Sequence, residues 1–124
     1  MEKEEMELRK KELIGYKVSL SKQMDRIAYA FNNIWLAGRM PSVYILWAIK
    51  STIITLESML SPYLTKEYEK DKKKLIEKID SIDLRIQKTE RPVYIEQCQA
   101  WFRLLIEVMA KKGLLLEEAI TEEI

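Results

Sequence analysis

Three carboxylates, Glu77, Asp80 and Asp83, follow one another at three-residue spacing, the interval that lines side chains along one side of a helix. Such a line holds a divalent cation when a second helix faces it with more acids. Here Lys73, Lys74 and Lys78 flank the run, and no second acidic cluster of matching spacing occurs. It therefore reads as a solvated, self-neutralising face with no metal. The single cysteine, Cys98, rules out an internal disulfide and falls on an apolar helical stripe. A reactive thiol needs exposure and a nearby base, so Cys98 is expected to be a small buried hydrophobe.

The chain has no histidine, which removes the usual general base near neutral pH, the Ser-His-Asp and Cys-His arrangements, and imidazole ligands for zinc. Three scattered glycines cannot form a phosphate-cradling loop. The expectation is a protein that is not an enzyme, with no catalytic residue and no cofactor.

Binding chemistry has more to work with. Lys22, Arg26, Tyr29 and Asn33 step along the first helix by four, three and four residues, and Arg39 lies in the following turn. Lysine and arginine on such a face contact phosphates while a tyrosine packs on a sugar or base. Without a helix-turn-helix, zinc-finger or RNA-binding signature, no base-specific readout is indicated. Accessory nucleic-acid or ribonucleoprotein binding through this basic face is the alternative function.

The elements that position these residues are marked by prolines and glycines. Gly38 with Pro41, Pro62, Pro92 and Gly113 stand where helices stop, which predicts helices over roughly 3–38, 42–61, 65–90 and 93–112 and no sheet. Met6, Leu13, Leu20, Ile27 and Ile34 recur every seven residues in the first. Ser42 and Thr65 are expected N-caps, and Gly113 a C-terminal cap with Leu114 supplying its apolar contact.

The second helix adds Val43, Trp47 and Ile54 to the stripe of Leu46, Ile49, Ile53, Leu56 and Leu60, so it is expected at the centre of a bundle. Its length would suit a bilayer, but Lys50 and Glu57 near mid-helix each cost on the order of 3 kcal/mol on insertion. A membrane is therefore not expected. Lys50 and Glu57, seven apart, form either a solvent-facing line or a half-buried polar pair. Short connections favour antiparallel neighbours, and 124 residues with 48% apolar and 33% charged composition suit one globular domain. The expected fold is an all-α, antiparallel four-helix bundle over residues 1–124, with a long N-terminal helix and a short acidic C-terminal tail. Its core is expected from Leu20, Ile27, Ile34, Leu46, Ile49, Ile53, Leu56, Leu75, Ile79, Ile82, Phe102 and Leu105.

Length then points to a surface. At 1.5 Å per residue the first helix spans roughly 54 Å and the second and fourth about 30 Å, leaving Met6, Leu8 and Leu13 beyond the second. The fourth should end at the same pole, bringing Leu114, Leu115 and Leu116 with Glu117 and Glu118 near Arg9, Lys10 and Lys11. This pole closes within the chain or is used between chains, and an unpaired heptad stripe is a coiled-coil surface. The expected function is a non-catalytic interaction or structural module that self-associates or docks to a protein partner. Its cysteine usage and an N-terminus without an apolar leader suit the cytoplasm.

Overall fold

A computed structural model describes residues 2–39, 41–76 and 89–116 of the chain. Within them lie α1 (Glu2–Ala37), α2 (Val43–Met59), a 3-10 turn (Ser61–Tyr63), α3 (Lys66–Ile76) and α4 (Arg91–Lys111), and no strand occurs among the described residues. The sequence-predicted third helix beyond Ile76, with Ile79, Ile82, the line Glu77, Asp80 and Asp83, and the tail from Glu117, lies outside them.

Local chemistry accounts for each helix end. Glu2, Glu4 and Glu5 occupy the first turn of α1, where negative charge offsets the positive end of the helix dipole. Glu5 stands four residues before Arg9, and Glu7 four before Lys11, the orientation in which such pairs support a helix without packing. Gly38 ends α1 with φ +63°, a left-handed conformation that favours glycine. Ser42 caps α2, its Oγ accepting from the Ile45 amide, and Thr65 Oγ1 accepts from the Tyr68 amide at 3.1 Å at the start of α3. After α4, Gly113 takes φ +65°, the Gly113 amide donates to the Ala110 carbonyl and the Leu114 amide to the Met109 carbonyl. That paired bonding reverses the chain and turns Leu114 back onto the core.

α2 packs against both α1 and α4, and α3 packs against α4. The Tyr16 hydroxyl donates to the Met59 carbonyl and Gln23 Nε2 to the Thr52 carbonyl at 2.9 Å, so residue numbers rise along α1 as they fall along α2. Arg91 at the head of α4 donates to the Pro41 carbonyl at 3.0 Å, fastening that end of α4 to the turn that opens α2.

The buried set on α1 is Leu20, Gln23, Ile27 and Phe31. A strict seven-residue repeat drifts by about 20° per heptad around a straight helix, so Phe31 takes the core position and Ile34 is only partly buried at its edge. Phe102 and Leu75 are likewise half-buried: on α4 it is Trp101 that points inward, while Phe102 stacks on Phe31 with centroids 6.2 Å apart. Leu46, Ile49, Ile53, Leu56 and Leu105 are buried as expected, joined by Val43, Leu60, Tyr68, Ile95, Cys98 and Met109. The expectation that α2 sits at the centre of the bundle holds only in part: among the described residues it packs chiefly against α1 and α4, and of its second apolar flank Val43 is buried while Trp47 and Ile54 are exposed.

Among the described residues no helix is long and apolar enough to cross a membrane. Ile53 is fully buried, so Ile53→Ala should lower stability by about 2 to 5 kcal/mol, measured by urea denaturation followed by circular dichroism.

Candidate functional site

One side of α2 presents an unusual surface. Its charged residues are Lys50 and Glu57, and both are half-buried. The outward positions Tyr44, Trp47, Ala48, Ser51, Ile54, Thr55 and Ser58 are therefore all uncharged and all exposed. A helix facing water ordinarily carries charge there, and contiguous apolar exposure marks contact surfaces.

Other large apolar residues are exposed too: Trp35 (65%) and Leu36 (85%) near the end of α1, Ile45 in the first turn of α2 and Val93 in the first turn of α4. Two apolar clefts share Ile34, Arg39 and Pro41. One, of about 330 Å³, runs between α1 and α2 along Ala30, Ala37, Ile45 and Ala48; the other, of about 400 Å³, lies against Pro92 and Ile95 of α4.

Glu57 shows why the charges of α2 are missing from its outer face. Its carboxylate pairs with Lys72 at 2.8 Å and accepts from the Tyr68 hydroxyl at 2.5 Å. Trp101 Nε1 in turn donates to the Tyr68 oxygen at 3.0 Å, and the Lys72 ammonium lies 5.2 Å from the centre of the Trp101 ring. The network joins α2, α3 and α4, so of the two readings of Glu57 it is the half-buried one that holds, with Lys72 rather than Lys50 as its ion partner. Burial, followed by the hydrogen bond to Glu57, raises the Tyr68 hydroxyl well above its ordinary pKa. Burial likewise pushes the Cys98 thiol up to about 12, against a smaller lowering by Lys50. Both groups are thus held neutral, poorly suited to nucleophilic chemistry.

Of the basic-face residues, Lys22, Arg26, Tyr29 and Asn33 are all exposed along one side of α1, and Arg39 is exposed in the turn. The Arg26 guanidinium donates to Gln23 Oε1 at 3.4 Å. Leu36, three residues after Asn33, continues the same line, so the face ends in a large apolar side chain. The 4-3-4-3 spacing contained that signal.

At the other pole, Met6, Leu8 and Leu13 are exposed, as is Ile14. Leu8 lies about 200° around the helix from Met6 at 100° per residue, so it does not share the Met6–Leu13 line. Leu114 is only 2% exposed and is committed to its own chain's core, Leu115 is partly buried against that core, and Leu116 is exposed. Among the described residues the arm and the tail are not brought into one apolar cluster.

Among the described residues no group of three or more His, Cys, Asp or Glu side chains is placed to hold a metal ion. Compared with known proteins, the chain matches no family model, no curated protein and no solved structure.

Tyr68→Phe deletes the hydroxyl that serves Trp101 and Glu57 and should cost about 1 to 3 kcal/mol, read from chemical denaturation, with Trp101→Phe in the Tyr68→Phe background adding less than it does alone. A thiol raised from 9.0 to about 12 on folding contributes stability that is complete below pH 9 and lost as pH rises toward 12. Tyr68 acts in the same direction. Thermal melts should therefore shift down above pH 9, and Cys98→Ala should flatten that slope.

Proposed function

We propose that this chain is a non-catalytic helical interaction module that self-associates, built as a single antiparallel four-helix bundle. The pairings Tyr16 with Met59, Gln23 with Thr52 and Arg91 with Pro41 support the up-and-down arrangement, in which α1 runs opposite to α2 and α4. We place it in the cytoplasm, where a lone reduced cysteine persists.

The observation that carries the functional reading is the uncharged outer side of α2 with Trp47 and Ile54 exposed. A face without charge can meet its own copy about a two-fold axis with no like charges opposed, and two-fold dimers are the commonest oligomers. Each large apolar side chain covered contributes roughly 1.5 to 3 kcal/mol, against an association cost of about 4 to 15 kcal/mol. Tyr44, Trp47, Ile54 and their copies therefore suffice for a modest dimer rather than a permanent one. The exposed Met6 and Leu13 of α1 add to the surface available. The alternative, nucleic-acid binding, draws on the exposure of Lys22, Arg26, Tyr29 and Asn33 on one face.

Sedimentation velocity over a concentration series tests both. The wild type should associate, and Trp47→Glu with Ile54→Glu should be monomeric with unchanged helicity and stability. A wild type that stays monomeric overturns the reading. If that monomer cosediments at low salt with a labelled oligonucleotide, and reversal of Lys22 and Arg26 abolishes this, the nucleic-acid reading replaces it.

A further inference from the structure

The cleft between α1 and α2 has a lining that specifies what could fill it. Ala30, Ala37 and Ala48 leave room above Ile34 and Ile49, and Arg39 is the one charged residue on its wall. Small side chains flanking two helices admit a third helix laid along the groove. From Ala30 to Ala37 the groove is about 10 Å long at the helical rise, or two turns. Its two ends are basic. Arg39 lies at one, and Arg26 reaches toward the other through Gln23, which bonds the carbonyl of the cleft residue Thr52. Over residues 13–50 the bases Lys17, Lys22, Arg26, Arg39 and Lys50 face a single acid, Asp25.

The complementary sequence is in the chain itself. Leu116, Ile120 and Ile124 stand four residues apart, and Glu117, Glu118, Glu122 and Glu123 lie between them with no base from residue 113 onward. By sequence the segment alternates apolar residues with acids and is opposite in charge to the groove's ends. No other segment of this chain combines those features.

Reach decides which copy supplies it. Lys111 and Lys112 at the end of α4 line a cleft with Tyr63, and Tyr63 stacks on Tyr16, so α4 finishes beside Tyr16. The groove begins at Ala30, about 21 Å further along α1. Eight residues after Leu116 span at most about 29 Å even fully extended, too little to cross that gap and also lie along a groove of about 10 Å. We infer that the acidic segment 117–124 of one copy docks in the Ala30–Ala48 groove of a second copy, between Arg26 and Arg39. This inference rests on the self-association reading and adds to the α2 face a second contact between the copies.

The test uses the full-length protein and a fluorescent synthetic peptide of residues 113–124. Anisotropy should report binding that weakens with salt and falls about tenfold or more for Arg39→Glu and for Ala48→Glu, two exposed positions outside the core. A peptide with its four glutamates replaced by lysine should bind the Arg26→Glu/Arg39→Glu protein better than the native peptide does, a rescue that a misfolded variant could not give. In sedimentation, Ile120→Glu should weaken self-association of the intact chain. A peptide that does not bind, or binds wild type and both groove variants alike, overturns the inference. If the intact chain still associates in that case, the self-association reading survives without it; a wild type monomeric at every concentration removes both.

Discussion

The position of α2 governs the rest of the molecule. Leu46, Ile49, Ile53, Leu56 and Leu60 are buried to within a few per cent because α1 closes on one side of the helix and α4 on the other. α4 in turn carries α3 on its other flank. Covering α2 on two sides aligns Tyr16 with Met59 and Gln23 with Thr52 along one flank and fixes Arg91 against Pro41 at the head of the other. The same packing leaves a third side of an apolar helix facing out.

Polar groups in the interior add direction to this apolar framework. The chain Trp101–Tyr68–Glu57–Lys72 gives each buried donor or acceptor a partner, which is the condition for a polar group to be tolerated away from water. Breaking a half-buried ion pair by removing one partner is costly, whereas its net contribution relative to apolar packing is small. The physical role of the network is therefore selectivity of register: sliding α3 by one turn would strand Glu57 and Trp101 Nε1. Gln23 does a similar job between α1 and α2, reaching a backbone carbonyl from an otherwise apolar stripe.

These two features connect structure to function. Because Glu57 is drawn to α3, the outer side of α2 is left with aromatic, aliphatic and small hydroxyl side chains. An association through such a face would be non-polar at its centre and bordered by the basic side of α1, the pattern of a contact surface with a rim. Charge enters at the edges, where it sets orientation more than strength.

The sequence by itself determined the features that depend on neighbours a few residues away. Helix content, the breaks at Gly38, Pro62, Pro92 and Gly113, the caps at Ser42 and Thr65 and the reversal that brings in Leu114 are all local, since a cap needs only its own turn and a left-handed residue only its own φ. Most of the core was legible too, because a 3.6-residue period identifies one face of a helix relative to its own axis. That period does not count neighbours. Whether the second apolar flank of α2 is covered, whether Trp101 or Phe102 points inward, and which cation meets Glu57 depend on how helices distant in sequence are placed side by side. Val43 is buried and Trp47 exposed on the same apolar helix, a distinction that only the tertiary packing of α1 and α4 against α2 could make.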